Sequence, residues 1–297
     1  MKVQASKERL LVLRLHPPAL LRVRGYAINR LRILLYGPGG SGKSTLAHAW
    51  LHYAERSEGT VRVDGKDVPF RFVPVGLLLE SAARMHSYDE CVEKGICPLV
   101  LPIQPEGGGN VQEAAIALTR KKIEAARSQA KASEILIPFV VVDSAAHLVQ
   151  GSGQLADRWR GVSGFLDGLD ALSPYSVLLM IAQERAPMHS PGLFPKSRPS
   201  VAESLMHNFH IKVRMARTGA EAETFRLSVD RVSLAAQSWP SSPIEVTRAS
   251  IAALIPSPGR EREEPGQAKG KKGGGSQKAE PIIQVEFGGW VEVYVPQ

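Results

Sequence analysis

The sequence predicts an α/β protein with a mostly parallel central sheet, helices on both faces, an antiparallel extension and a flexible C-terminal tail. Short, almost wholly apolar runs alternate with longer stretches of helical periodicity. Strands of a parallel sheet have this composition because helices cover them from both sides. A glycine-rich loop also joins the apolar run at 32–36 to the helical stretch at 46–56, an order typical of phosphate-binding α/β proteins.

Each core element follows from its local pattern. Apolar runs bounded by turn residues predict strands, and apolar residues three and four apart predict helices. The alternation around Asp64-Gly65 predicts a small hairpin at 60–67. The predicted strands are 32–36, 70–75, 99–103, 138–143, 176–182, 209–216 and 223–232, and the predicted helices are 46–56, 77–86, 111–132 and 159–172.

The chain divides into four segments. Residues 1–30 form a lead-in that mixes apolar and basic positions, and residues 31–255 carry the core. Residues 256–281 are poor in apolar residues and rich in Gly, Lys and Glu, which predicts a disordered linker. The alternation in residues 282–297 predicts a β-hairpin that turns at Gly288-Gly289.

Composition and charge exclude some classes of protein. No apolar run approaches the roughly 20 residues that span a bilayer, which argues against a membrane protein. The N-terminus does not resemble a secretory signal, and Cys91 and Cys97 are interpreted as reduced thiols of a cytoplasmic protein. The net charge of +8 is consistent with a polyanionic partner.

The strongest chemical signal is the phosphate-loop pattern G-x-x-x-x-G-K-[ST], with a β run before it and a helix after it. Glycines let backbone N–H groups face phosphate oxygens, and the helix N-terminus adds its positive dipole. Lys43 is expected to reach the terminal phosphates, Ser44 to coordinate Mg²⁺ and Thr45 to bind inner phosphates. The predicted nucleotide-binding residues, with Mg-ATP as the expected ligand, are Gly37, Pro38, Gly39, Gly40, Ser41, Gly42, Lys43, Ser44 and Thr45.

Asp143 is the predicted second metal ligand and the predicted acidic member of the nucleotide site. It ends the buried run Phe139-Val140-Val141-Val142. Phosphate-loop enzymes place an acid near the metal at the end of a neighbouring strand. A helix N-cap at the strand–helix junction is the alternative interpretation.

Several stretches resemble the RecA family of recombination ATPases, and they occur in the family's order over about residues 30–235. The resemblance implies a divergent core, similar to RecA and RadA recombinases, that assembles side by side into a filament or ring with ATP at the subunit boundary. The matching stretches are Gln104-Pro105-Glu106, Val140 to Leu148, Val177 to Arg185, the loop with Gly192-Leu193-Phe194, and Phe209 to Arg214.

The same resemblance implies roles for two further residues. Gln183 matches the sensor that links the γ-phosphate of ATP to a DNA-binding loop, and a glutamine that caps backbone groups at a strand end is the alternative. Arg231 falls where the family has basic residues that reach a neighbour's ATP, and a solvated strand residue is the alternative.

Two loops correspond to the family's DNA-binding loops. The first lies at 152–160 and the second, basic and irregular, at 187–200. Cations there are expected to contact phosphates, and the aromatic ring to stack on bases or pack on the next subunit. A plain solvent loop is the alternative for each. The predicted DNA-binding residues are Arg158, Arg160, Arg185, Phe194, Lys196 and Arg198.

The catalytic base is the main departure from the family. The family carries a glutamate at the end of the strand after the phosphate-loop helix, where it activates the attacking water. The predicted strand at 70–75 ends without an acid. Glu80, expected one helical turn later, and Glu106, at another strand end, are both candidates, and slow hydrolysis is the alternative.

These observations predict an ATP-binding, DNA-dependent ATPase that binds single-stranded DNA, forms a homo-oligomer and acts in recombination or repair. Two other functions stay open. One is a ring-shaped helicase or viral packaging motor built on the same core. The other is a regulatory ATPase that binds a protein partner through its C-terminal tail.

Overall fold

The computed structural model describes residues 6–15, 30–56, 58–63, 66–79, 92–94, 99–100, 110–149, 155–185, 198–201, 203–218, 223–232, 243–252 and 283–293. The strands are β1 (Ser6–Leu15), β2 (Arg30–Gly37), β3 (Glu58–Val63), β4 (Lys66–Leu78), β5 (Leu99–Val100), β6 (Ile135–Asp143), β7 (Ser176–Arg185), β8 (Arg198–Pro199), β9 (Ile211–Arg217), β10 (Thr224–Val232), β11 (Ile244–Thr247) and β12 (Ile283–Val293). The α-helices are α1 (Lys43–Arg56), α2 (Val111–Ser128), α3 (Leu155–Asp170), α4 (Glu203–Met206) and α5 (Arg248–Ala252), and a 3-10 helix spans Ala145–Val149.

The main sheet has ten strands in the described part of the chain. Eight follow the order β11-β10-β9-β2-β7-β6-β4-β3, while β5 pairs with β4 and β8 pairs with β7. Strands β9, β2, β7, β6 and β4 are parallel neighbours, and β10, β11 and β3 are antiparallel additions at the edges. The structure therefore confirms the predicted α/β class, with a mostly parallel sheet and an antiparallel extension.

Helices cover both faces of this sheet, as the apolar strands require. On one face, Leu46 and Leu51 of α1 belong to the same buried cluster as Leu35 of β2. On the other face, Phe165 and Leu166 of α3 share a second cluster with β-strand side chains, and α2 lies beside α3. The alternation of side chains along each strand divides the apolar residues between the two clusters.

At the amino end of β2, polar contacts join the sheet to α3. Arg32 donates from Nε to Asp170 at 2.7 Å and from Nη2 to Asp167 at 2.6 Å. Asp170 also accepts a hydrogen bond from the Ser176 hydroxyl at 2.8 Å, and the backbone N–H of Arg32 donates to Nδ1 of His210 at 3.0 Å. Because Asp170 and Ser176 are buried, these contacts satisfy groups that would otherwise lack water.

Strand β4 is longer than predicted. The helix expected at 77–86 is wrong at its start, since Leu77 and Leu78 are strand residues that pair with Val142 and Asp143 of β6. Leu79 follows, and its backbone N–H donates to the carbonyl oxygen of Asp143 at 2.5 Å. Burial on both faces of the sheet outweighs the helical preference of this leucine-rich run.

The hairpin predicted at 282–297 is also wrong within the described residues. Strand β12 continues through Gly288 and Gly289 and pairs antiparallel with β1, from Ser6 opposite Val293 to Leu15 opposite Ile283. A register shift between Glu8 and Leu10 takes the place of the expected turn. The alternating residues of β12 therefore pair with a distant strand of the lead-in and not with each other. The predicted linker at 256–281 lies outside the described residues.

Candidate nucleotide site

The phosphate loop connects the carboxyl end of β2 to the amino end of α1. Gly37 is the last residue of β2 and is buried, while Pro38, Gly39 and Gly40 are exposed. Gly40 and Gly42 have φ of 72° and 85°, a left-handed conformation that side chains disfavour. The helix begins at Lys43, and its first-turn N–H groups lie where the dipole favours an anion.

Strand β9 of the parallel sheet and strand β10 of the extension support the loop. A Cβ atom at Gly37 would overlap the carbonyl oxygen of Met215 on β9. A Cβ atom at Gly42 would come within 2.9 Å of the Phe225 ring on β10. Sequence reasoning missed Met215 and Phe225, because no local signal links these residues to a loop so distant in the chain.

On its outer side the loop is open. A Cβ atom at Gly39 or Gly40 would meet nothing within 4 Å. Lys43 lies inside the loop, where Nζ donates to the carbonyl oxygens of Pro38 at 2.8 Å and Gly37 at 3.1 Å and to the Ser41 hydroxyl at 3.2 Å. Ser44 and Thr45 are half-buried in the first turn of α1. An open cradle with a lysine inside it fits a polyphosphate ligand.

Asp143 and Gln183 lie at the same edge of the sheet as the loop. Gln183 on β7 pairs with Gly37 on β2, and Asp143 on β6 pairs with Ile181 on β7. Their side chains share the face that α1 covers, because Val141 and Ile181, two residues earlier in each strand, belong to the cluster around α1. Asp143 is buried and Gln183 is exposed.

The two glutamate candidates, Glu80 and Glu106, lie outside the described residues. The described chain nevertheless reaches Leu79, immediately before Glu80. Since β4 runs to Leu78 opposite Asp143, Glu80 follows the end of that strand by two residues. The strand before Glu80 therefore ends closer to this residue than predicted, and the role of Glu80 stays a prediction.

The predicted DNA-binding residues are described only in part. Arg185 and Arg198 are backbone partners in the antiparallel pair of β7 and β8, and Arg160 is exposed on α3. Arg158 also belongs to α3, but its side chain is not described. Phe194 and Lys196 lie outside the described residues.

The backbone connects the second predicted DNA loop to Gln183. Ser200 donates its N–H to the carbonyl oxygen of Gln183 at 2.7 Å, and Glu184 pairs with Pro199. The two described ends of this stretch, Arg185 and Arg198, therefore lie side by side in the sheet, close to Gln183.

A half-buried ion pair beside Gln183 was not predicted. Arg214 on β9 donates from Nε and Nη2 to the two carboxylate oxygens of Glu184, each at 3.1 Å. Strand β2 lies between the two residues, and its Tyr36 is the backbone partner of both Arg214 and Ala182. Arg231 on β10 pairs with Lys212 on β9, and the side chain of Arg231 is not described.

Comparisons with known proteins give similarity in structure. The fold is similar to that of the RadB recombinase, at 16% identity over 68% of this chain and 81% of that one, with a TM-score of 0.38. It is also similar to a KaiC-like protein, PH0186, from the archaeon Pyrococcus horikoshii OT3, at 14% identity over 73% and 89% of the chains, with a TM-score of 0.43. No protein family and no curated protein matches the sequence.

In the part of the chain that the structure describes, no three His, Cys, Asp or Glu side chains lie close enough together to hold a metal by themselves. Ser44 and Asp143 stay the predicted ligands of Mg²⁺, a metal that proteins usually bind through one or two side chains together with phosphate oxygens and water. No described helix has the length and apolar character needed to cross a membrane.

Proposed function

We propose that this protein binds and hydrolyses Mg-ATP at the Gly37–Thr45 loop and uses the nucleotide to control its binding to single-stranded DNA in recombination or repair. One observation carries the proposal. The phosphate loop, Asp143 and Gln183 lie along one edge of the sheet and on one face of it.

Each residue of the loop has a definite part in this proposal. Backbone N–H groups at the start of α1 bind the phosphates, and Lys43 exchanges its contacts with Gly37 and Pro38 for contacts with phosphate oxygens. The Ser44 hydroxyl and the Asp143 carboxylate hold Mg²⁺, which neutralises charge on the phosphates. Asp143 suits this role because it is a buried acid at a strand end.

Glu80 is the proposed catalytic base. It follows the end of β4 in the sequence. The backbone N–H of Leu79, the residue before it, donates to the carbonyl oxygen of Asp143, the proposed metal ligand. A carboxylate there would accept a proton from the water that attacks the γ-phosphate. Glu106 is the second candidate, since β5 before it pairs with Leu77 and Leu78.

Single-stranded DNA is the proposed partner of the segment between β7 and β8. Arg185 and Arg198 flank this segment as backbone partners in β7 and β8, and cations are the residues that bind phosphates of nucleic acids. Lys196 and Phe194 within the segment, and Arg158 and Arg160 at the first loop, complete the proposed contacts. Gln183 connects the two ligands, because it pairs with the phosphate loop and with Ser200.

ATP at a boundary between identical subunits is proposed as well, with Arg231 reaching the neighbour's nucleotide. Strand β10 carries Phe225 beside Gly42 of the loop, and Arg231 follows six residues later on the same strand, where it pairs with Lys212 of β9. An Arg231→Ala variant that hydrolyses ATP at the wild-type rate at every protein concentration would exclude this role.

The test is ATP turnover with and without single-stranded DNA, in wild type and in Lys43→Ala, Glu80→Gln and Glu106→Gln. We expect DNA to stimulate the wild type, Lys43→Ala to lose nucleotide binding, and Glu80→Gln to bind ATP without hydrolysing it. Loss of ATP turnover in Glu106→Gln but not in Glu80→Gln would show that Glu106 is the catalytic base.

DNA binding needs a separate measurement. Anisotropy of a labelled oligonucleotide should show tighter binding with a non-hydrolysable ATP analogue, and that binding should weaken steeply with salt. DNA affinity that is the same with and without nucleotide would contradict the proposal and favour a regulatory ATPase. Closed rings in electron micrographs would favour a ring-shaped helicase or a viral packaging motor.

A further inference from the structure

Glu184 and Arg214 form a bridge across the strand that ends in the phosphate loop. The Glu184 side chain is 10% exposed and that of Arg214 33% exposed, and their two hydrogen bonds are both 3.1 Å long. Bidentate contacts between guanidinium and carboxylate are among the stronger polar interactions in proteins. The pair is therefore well placed to fix strand β7 relative to strand β9.

The bridge lies on the face of the sheet away from the nucleotide. Side chains alternate along β7, so Glu184 points to the opposite side from Gln183. Ala182 and Tyr36, which flank the bridge in the sheet, belong to the cluster that α3 covers. Arg214 and Glu184 can therefore influence Gln183 through the backbone but do not reach a ligand in the loop.

Three contacts, two through the backbone of Gln183 and one through the side chain of the next residue, hold Gln183 in place. It pairs with Gly37 in β2, its carbonyl oxygen accepts the Ser200 N–H at 2.7 Å, and the next residue is Glu184. Without the bridge, the end of β7 would keep its two backbone connections but lose its side-chain attachment to β9.

We infer that the Glu184–Arg214 bridge is a positioning device that holds Gln183 in line with the phosphate loop and so transmits the nucleotide state to the segment between β7 and β8. This inference rests on the proposed function, because it assigns a regulatory role at the same site. Glu184 and Arg214 are positioning residues and touch neither nucleotide nor DNA.

The experiment measures the ratio of DNA affinities with and without a non-hydrolysable ATP analogue, in wild type, Arg214→Gln and Glu184→Gln. We expect this ratio to be about tenfold smaller in each variant than in the wild type, a change within the usual range of coupling between two sites. Nucleotide affinity should change little, since the bridge lies on the other face. The charge-swapped double variant, Glu184→Arg with Arg214→Glu, should recover part of the ratio.

Glu245→Gln is the matched control. Glu245 pairs with Arg226 on the same sheet at 3.4 Å, but the two side chains are 60% and 51% exposed and lie on β11 and β10. Exposed pairs contribute little, so this variant should keep the wild-type ratio. A drop equal to that of Arg214→Gln would mean that any loss of charge has the effect, and the inference would be wrong.

Hydrogen exchange at the Ser200 amide separates this inference from the proposed function. Loosening of β7 should speed exchange of that amide in Arg214→Gln, whether or not DNA is the partner. If the wild type shows no nucleotide-dependent DNA binding but exchange still rises in Arg214→Gln, the proposed function is wrong. The positioning role of the Glu184–Arg214 bridge is then still supported. Unchanged exchange and an unchanged ratio in folded variants would overturn the bridge itself.

Discussion

Gly37 lies so close to the backbone of Met215 that any side chain at position 37 would overlap the Met215 carbonyl oxygen. The close approach joins the first residue of the phosphate loop to a strand far away in sequence. It also limits which loop substitutions the fold can accept.

Replacement of Gly37 by alanine should therefore weaken the fold as well as the site. Backbone cannot move aside as a flexible side chain can, so we expect a loss of about 1–3 kcal/mol in the free energy of unfolding. Denaturant titration measures it. Gly39→Ala is the control, because its Cβ atom meets nothing within 4 Å, and an equal loss there would contradict the explanation.

The contact between Arg32 and Asp170 should contribute much more to stability than the contact between Arg32 and Asp167. Asp170 has a side chain 6% exposed, whereas that of Asp167 is 67% exposed. Asp170→Asn removes the buried carboxylate and leaves the guanidinium only the exposed Asp167 as a charged partner, which should cost about 3 kcal/mol. Asp167→Asn should cost less than about 1 kcal/mol. Equal costs in denaturant titration would show that burial does not decide the difference.

His210 should make stability depend on pH. Burial lowers the pKa of this imidazole, and the positive charge of Arg32 lowers it further, against an opposing effect of Asp170. The unfolded state, with a pKa of about 6.5, then binds the proton more readily than the folded state. The neutral imidazole of His210 therefore contributes its full share to folding stability above the unfolded-state pKa of about 6.5. That share is lost as the pH falls from this value through the lower pKa of the folded state.

The measurement for His210 is the free energy of unfolding at several pH values in wild type and His210→Asn. The asparagine carbonyl can still accept the Arg32 N–H, which Nδ1 accepts in the wild type. We expect the variant to lose less stability on acidification than the wild type. A wild type whose stability is constant from pH 7 to pH 5 would contradict this assignment.

Asp143→Asn should make nucleotide binding insensitive to Mg²⁺. The proposed role of this carboxylate is to hold the metal, so a neutral amide in its place should remove the gain in affinity that Mg²⁺ gives. Fluorescent nucleotide titrations with Mg²⁺ and with EDTA measure the effect. In EDTA the variant and the wild type should agree, and a large difference there would indicate a folding defect.

Local sequence signals were sufficient for the parts of the site that depend on a few adjacent residues. The phosphate loop is such a part, because glycine spacing and the following Lys43 reflect the backbone shape that phosphates require. Asp143 was predicted because it ends a buried apolar run, and Gln183 because its stretch resembles the RecA family. The pairing of the parallel strands brings both residues to one edge of the sheet.

Contacts between distant segments were not predictable in this way. Met215 and Phe225 support the loop through shape alone, and the Glu184–Arg214 bridge depends on strand order, which no local pattern contains. The extent of β4 was misjudged because leucines suit a helix as well as a buried strand, and only pairing with β6 decides between them.

The order of the strands has a consequence for how the chain is made. In the described residues β2 pairs with β7 and β9, and both are synthesised long after it. While a ribosome works through the intervening stretch, the nascent β2 has no sheet to enter, and Leu34 and Leu35 lack the neighbours that later bury them. A chain halted before Ser176 would thus present an unpaired apolar strand, which is a recognised cause of aggregation.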